Sequence, residues 1–364
     1  MGNGDCAPAD PLAAIVAKPR TEAAIDSLRA EGIYDDARRV REYDDDTVAL
    51  PVLEAPSKTS VREVIRQIDP ERRTRGLEDL LADRGWSEEA LASAPGSWAV
   101  IGDVVVVRVP EGCPDEAELG EALLELHGEA DSVLADEGIA TDGVAGTHRE
   151  PRRRVIAGRG DTETIHTEAG TRYCLDPAVV MFSPGNQAER VRMGEVVTAD
   201  ERVFDMFAGI GYFSLPMARA GAHVTATELN PTSFRYLLEN AVLNDVDDRL
   251  DAYRADCRDV TGAVEADRVV MGYYGSADGT GEDGHGTRRE EGHEFLPAAF
   301  ASLVPGGVLH YHEATPESRL WDRPLERLER AADEAGRSLT VLGRRRVKGH
   351  SAGVSHVVVD ATVE

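Results

Sequence analysis

Apolar residues alternate with polar ones along much of this chain, in two rhythms that separate its elements. Residues 21–31 place Ala24, Ile25 and Leu28 on one helical face behind Thr21, a candidate N-cap. Residues 47–52 read as a strand, 77–81 as a helix, and Val100-Ile101 with 104–109 as a hairpin around Gly102-Asp103. An amphipathic helix is predicted over 115–127, and strands over 132–134, 154–158 and 163–166. Residues 179–182 read as a strand that breaks at Ser183-Pro184-Gly185-Asn186, where a helix begins. From 203 onward strand and helix alternate, with strands at 203–206, 223–228, 250–254, 267–271, 307–311 and 355–360. Such alternation predicts a doubly wound sheet. The expected organisation is a small incomplete module over 1–56, an α+β domain over 57–171, and a nucleotide-binding domain over 172–364. A flexible acidic insertion is expected at 278–292.

Val203-Phe204-Asp205-Met206-Phe207-Ala208-Gly209-Ile210-Gly211 carries the chemistry of that last domain. Strand, glycine turn and helix open a nucleotide-binding βαβ unit: Gly209 permits the turn, and Gly211 is expected to let a ligand approach the backbone. Glu228 closes the second strand, where a carboxylate accepts both hydroxyls of a ribose. Asp256-Cys257 follow the third strand, where an adenine amino group would lie. Ser214 stands in place of a third glycine, which disfavours a pyrophosphate-bearing dinucleotide and favours S-adenosylmethionine. The expected fold class is therefore α/β: a class I S-adenosylmethionine-dependent, Rossmann-like sheet preceded by a smaller α+β domain.

Charge alters this picture in one respect. The 364 residues hold 67 acidic and 40 basic side chains, a net charge of −27, and lysine occurs only at 18, 58 and 348. A diffuse acidic excess with so little lysine points to salt adaptation, while 41% hydrophobic residues exclude an acidic disordered chain. Arg149, Arg152, Arg153, Arg154 and Arg159 stand out against that background, with a second patch at Arg344, Arg345, Arg346 and Lys348. Two readings are open for the first cluster, a charged edge paired with nearby acids or a contact to an RNA backbone. Cys6, Cys113, Cys174 and Cys257 form no Cys-x-x-Cys pair, which disfavours structural zinc or a disulfide framework and suits a reducing cytoplasm. No apolar run approaches the roughly 20 residues that span a membrane. A cytoplasmic location is expected, with no membrane association.

At the edge of the fourth strand, Tyr273 and Tyr274 offer stacking faces for a base splayed out of its RNA. His293, His310 and His312 lack a cysteine partner or an obvious third ligand, so they are assigned to the substrate side of the sheet and no metal is expected.

Met181-Phe182-Ser183-Pro184-Gly185-Asn186 with Glu189-Arg190, the 205–213 motif, Met271-Gly272-Tyr273-Tyr274, His293-Glu294-Phe295-Leu296 and His310-Tyr311-His312-Glu313 together resemble the archaeal wyosine-biosynthesis aminocarboxypropyltransferases. These are relatives of the tRNA guanosine-37 N1-methyltransferases. The resemblance implies transfer of the 3-amino-3-carboxypropyl group of S-adenosylmethionine to C7 of 4-demethylwyosine at position 37 of tRNA-Phe, with methylthioadenosine released. It implies that Ser183 and Arg190 contact the cofactor, Arg190 at its carboxylate. It also implies that Asp205, Phe207, Gly209, Gly211, Glu228, Asp256 and Cys257 complete the cofactor set, and it makes Glu189 a candidate base. The anticodon region of tRNA-Phe is the implied partner, and no obligate protein partner is inferred. Gly185 replaces the arginine of the methylating relatives, and Met271-Gly272 offers no side-chain acceptor; both point away from methylation of guanine N1. The alternatives are that N1-methyltransferase activity and a non-catalytic tRNA-binding protein that keeps the cofactor fold.

Overall fold

A computed structural model describes the chain from Pro11 onward, apart from residues 72, 74, 274–290 and 352. It divides into two compact units, Met1–Asp83 and Arg84–Glu364.

The first unit is an antiparallel sheet with a helix. Its elements are β1 (Leu12–Ala17), α1 (Thr21–Ala30), β2 (Arg41–Glu42), β3 (Thr47–Val52), β4 (Glu63–Arg66) and α2 (Leu77–Asp83), with strand order β2-β3-β1-β4. Leu28 and Ala24 of α1 pack on Ala14, Val16, Leu50 and Val52 of the central strands. The unit therefore runs beyond the expected end at 56. The sequence hides β4 because it is an edge strand of mixed, half-exposed residues, without an alternating apolar face. Thr21 does not cap α1: its hydroxyl donates to the Lys18 carbonyl, and Arg20 holds the N-cap position.

The second unit opens with α3 (Glu88–Ala92), β5 (Trp98–Ile101), β6 (Val104–Val107), α4 (Glu116–Leu126), β7 (Ser132–Ile139), α5 (Gly143–Thr147) and β8 (Pro151–Gly158). These strands form a sheet in the order β5-β6-β7-β8, with β6 and β7 parallel across the α4 crossover. Asp115 caps α4 by accepting the Ala117 and Glu118 amides. A hairpin, β9 (Thr164–Glu168) and β10 (Thr171–Leu175), leads into α6 (Gln187–Val196). No strand forms at 179–182. Asp176 takes the Val179 and Val180 amides on its carbonyl and the Ala178 amide on its carboxylate, closing a turn that still buries Val180 and Phe182.

Next come β11 (Arg202–Asp205), α7 (Ser214–Arg219), β12 (His223–Thr227), α8 (Pro231–Leu243), β13 (Leu250–Tyr253), α9 (Cys257–Val260) and β14 (Ala266–Met271). They are followed by α10 (Leu296–Ser302), β15 (Leu303–Pro316), α11 (Asp322–Ala335), β16 (Leu339–Ser351) and β17 (Val354–Val363). The seven-stranded sheet has the order β13-β12-β11-β14-β15-β17-β16; β17 lies antiparallel between β15 and β16, and the other neighbours are parallel. Sequence reading misses β16 because irregular register at Val341/Gly343, Arg346/Lys348 and Gly349/Ser351 breaks its alternation. The expected division at 171 is not a break in packing. Ile101, Val104 and Leu134 share one buried cluster with Tyr173, Phe182, Val203 and Leu237. Within the expected insertion, 278–290 lie outside the described residues. Glu291 and Gly292 belong to an ordered 3-10 turn, where Glu291 and Glu294 form a capping box and Arg323 and Arg327 hold the Glu291 carboxylate at 2.7 and 2.6 Å.

Candidate functional site

The carboxyl ends of β11, β12, β13 and β14 open into a cavity of about 870 Å³, covered by the Thr141–Arg149 segment around α5. This is where an open α/β sheet binds its ligand, at the point where strand order reverses. Met206, Phe207 and Gly209 line it from the first turn, Thr227 and Glu228 from the second, Asp256 and Cys257 from the third, and Gly272 and Tyr273 from the fourth.

Glu228 is the fixed point. Its two carboxylate oxygens accept the Gly209 amide at 2.8 Å and the Asn230 amide at 2.6 Å, so the glycine turn and the start of α8 both aim it. Burial pushes its carboxyl up to about 7, against those two amides, and the neighbouring Asp205 charge adds to the rise. Gly209 has φ +58°, and a Cβ there would strike the Tyr212 ring. Gly211, at φ +102°, does not line the cavity. A Cβ at 211 would stand 2.6 Å from Leu215 Cγ, so this glycine is required by the packing of α7 and not by a ligand.

Asp205 also stays behind the cavity wall. It is fully buried and accepts the Ser214 hydroxyl at 2.7 Å and the Phe207 amide at 3.3 Å, which shapes the turn; burial pushes its carboxyl up to about 6. Asp256 caps α9 and pairs with Arg258, whose guanidinium holds the carboxyl below its usual range. Burial pushes the Cys257 thiol up to about 12, so it presents a neutral side chain to the cavity.

An aromatic wall stands at the β14 end. Phe207 and Tyr273 stack at 5.0 Å, and Phe295 meets Phe207 edge-on at 5.0 Å. The Arg149 guanidinium lies 5.4 Å from the Tyr273 ring centre, and that of Arg258 lies 4.6 Å from Phe295. Tyr274 lies outside the described residues.

Several expected residues stand elsewhere. Arg190 is 2% exposed; it donates to both oxygens of Glu168 at 2.6 and 2.7 Å and to the Ser183 carbonyl at 3.1 Å, so its fork is consumed by the protein. Glu189, 3% exposed, is clamped by Arg345 with one bond at 2.7 Å, away from the cavity and unavailable as a base. The Ser183 hydroxyl takes a hydrogen bond from Lys348 at 2.7 Å and does not line the cavity.

The histidines likewise do not face a base. His310 is buried between Asp360 at 2.6 Å and Arg268, and burial lowers its pKa, favouring the neutral ring. His312 is buried beside His356 at 3.0 Å and Phe213, with burial pushing its pKa down to about 3. His293 lies 3.5 Å from Glu291, off the cavity lining. The two-residue spacing expected to set His310 and His312 on one face leads to no open substrate side, because the side chains of Asp360, Arg268, His356 and Phe213 fill the space around their rings. Among the described residues no group of acids, histidines or cysteines is arranged to hold a metal.

The arginine cluster divides. Arg153 donates to the Pro177 carbonyl at 2.6 Å and pairs with Asp136, Arg154 pairs with Glu116 and Glu137, and Arg159 pairs with Asp131. These are the paired charged edge. Arg152 is held more loosely, 3.7 Å from Asp142, and Arg149 lines the cavity. Sequence reasoning missed the covering segment with His148, and also Phe295 and Arg258. Asn230 explains how the segment is placed: it caps α8 with its side-chain oxygen and donates its amide to the His148 carbonyl at 3.3 Å. The only cue in the sequence was an Asn-Pro at the start of a helix.

Comparison with known proteins agrees with this architecture. Residues 164–341 match the TRM5/TYW2 methyltransferase domain, and residues 77–162 match the TYW2 N-terminal domain. The chain is 38% identical over 296 residues to the tRNA(Phe) (4-demethylwyosine(37)-C(7)) aminocarboxypropyltransferase of Pyrococcus horikoshii, covering 80% of this chain and 99% of that one. The solved structure of P. horikoshii TYW2 in complex with MeSAdo superposes with a TM-score of 0.63 at 36% identity, over 78% of this chain and 96% of that one. Wild-type Trm5b from Pyrococcus abyssi superposes with a TM-score of 0.70 at 29% identity, over 97% of this chain and 99% of that one. The chain belongs to the TRM5/TYW2 methyltransferase family.

Proposed function

We propose that this protein transfers the 3-amino-3-carboxypropyl group of S-adenosylmethionine to C7 of 4-demethylwyosine at position 37 of tRNA-Phe, releasing methylthioadenosine. The observation that carries the reading is the match across 99% of the P. horikoshii aminocarboxypropyltransferase. The cavity suits the adenosine part of that cofactor. Both Glu228 oxygens keep a lone pair beyond their backbone donors, which fits two ribose hydroxyls. Asp256 and Cys257 border the adenine end, and Phe207 gives an apolar face beside it.

When bound, the cofactor would supply a sulfonium-activated carbon: C7 would bond to the γ-carbon of the arm as the carbon–sulfur bond breaks with its electron pair staying on sulfur, and the C7 proton would pass to water. Orientation decides which of the three carbons on the sulfonium reacts. The protein's part is to fix the nucleoside with Glu228 and Asp256 and to receive the target base beside the aromatic wall of Phe207, Tyr273 and Phe295. Arg152 and Arg159, both exposed, are the arginines of the 149–159 cluster most open to an RNA backbone. The anticodon region of tRNA-Phe is the proposed partner, and the proposed setting is a salt-rich cytoplasm, in keeping with the charge of −27. No helix among the described residues is long and apolar enough to cross a membrane.

Mass spectrometry of position 37, after incubation with S-adenosylmethionine and tRNA-Phe carrying 4-demethylwyosine at high salt, tests the reading. The expected result is one added aminocarboxypropyl group and an equal amount of methylthioadenosine. One added methyl with adenosylhomocysteine would overturn it in favour of methylation.

A further inference from the structure

With Arg190 engaged by Glu168, the carboxylate of the cofactor's amino-acid arm needs another cation. The basic side chains lining the cavity are His148, Arg149 and Arg258. Arg258 is bound to Asp256 at 2.9 and 2.6 Å, and His148 Nδ1 lies 3.6 Å from Glu150. Arg149 has no ion pair among the described residues; its one described side-chain contact is the face of Tyr273.

Its position along the sheet matters as much as its charge. Glu228 and Asp256 follow β12 and β13, on one side of β11, whereas Tyr273 follows β14 on the other. A nucleoside held by Glu228 and Asp256 therefore directs its sulfur end across the β11 turn towards β14. The Arg149 backbone starts beside Asn230, just after β12, and its guanidinium reaches across to that end, 5.4 Å from the Tyr273 ring centre. The backbone there closes α5 with a Schellman turn. Arg149 has φ +53°, a left-handed conformation unusual for a side-chain-bearing residue, fixed by its own amide on Gly146 O at 3.1 Å and the Glu150 amide on Ala145 O at 2.9 Å. Asn230 ties the preceding carbonyl to α8.

We propose that Arg149 binds the α-carboxylate of S-adenosylmethionine and so draws the aminocarboxypropyl arm, in place of the methyl, towards the acceptor base at Tyr273. The assignment rests on the cofactor reading above and replaces the Arg190 contact expected from the sequence. A bidentate guanidinium–carboxylate pair beside an aromatic face is a strong, orienting contact.

Calorimetric titration without tRNA separates this role from others. Arg149→Ala is expected to weaken S-adenosylmethionine binding about 10- to 100-fold. Binding of methylthioadenosine, which lacks the arm, is expected to stay within about twofold of wild type and so also shows that the variant folds; Arg149→Lys should recover part of the loss. Unchanged S-adenosylmethionine affinity, with or without a raised KM for tRNA, would overturn the proposal, as would an equal loss for both ligands. Wild-type protein that bound neither ligand would overturn the cofactor reading itself. A protein that binds both but adds only a methyl to tRNA fails the transfer reading alone, because the binding contrast at Arg149 is read without tRNA.

Discussion

Glu228 shows how a side chain is made to wait for a ligand. Burial raises its pKa to about 7, with Asp205 adding repulsion, while ribose hydroxyls donating to it would favour the charged form. Ligand binding should therefore strengthen as pH rises through 7 and weaken below it, by up to about tenfold per pH unit. Methylthioadenosine titrations between pH 6 and 8 would show this slope, and Glu228→Gln should bind weakly and flatten it. A slope that persists in Glu228→Gln would assign the titration to another group. The residues legible in the sequence, Phe207, Gly209, Glu228, Asp256 and Cys257, are those whose places follow from a short turn after a strand. Arg149 was visible only as one arginine of a run, because its place depends on a left-handed backbone and on a tie to Asn230 far along the chain. Arg190 misled for a related reason: its partner, Glu168, belongs to a hairpin whose packing no local pattern reveals.

Elements explain what the remaining charged residues do. Glu189 and Arg192 of α6 reach Arg345 of β16 and Asp360 of β17, and Asp360 in turn holds His310 of β15. Burial opposes the charge on Asp360, yet His310 and Arg345 hold its carboxyl well below the usual carboxylate range. These pairs fasten a helix to the C-terminal strands and leave the cavity lining untouched. Glu189→Gln removes one of the two carboxylates on the Arg345 guanidinium, which keeps Asp360, and should cost about 1–3 kcal/mol in urea unfolding. Its methylthioadenosine affinity should match wild type; a large loss of affinity without loss of stability would restore Glu189 to the site. Strand and helix positions from 203 to 271 were legible because each parallel strand is a short apolar run with a clear glycine or acidic stop. β16 was not, since bulges scramble its alternation.

At the scale of the molecule, two properties separate. All residues lining the cavity lie in the second unit, so a chain beginning at Arg84 should bind methylthioadenosine with the affinity of the full chain. Loss of binding by a folded truncated chain would show that the first unit supports the cavity. The net charge of −27 should destabilise the fold at low ionic strength through self-repulsion. Thermal midpoints should therefore rise with added KCl as the Debye length shrinks from about 10 Å at 0.1 M to about 3 Å at 1 M. A midpoint indifferent to salt would mean that the acidic excess is already balanced locally. The charge was plain in the sequence, as was the sheet of the second unit. The continuity of its core across residue 171 was not, because it depends on Ile101 and Leu134 meeting residues from the other side of the predicted boundary.

The place of β17 in the sheet has a consequence in time. It is the last strand in the sequence, yet it sits between β15 and β16 and supplies the backbone partners of both. During synthesis those two strands emerge before the strand that supplies their native partners, so their facing edges stay open until β17 arrives. Assembly of this side of the sheet is thus held back until translation of the strand is complete, and the nascent chain carries two open edges until then.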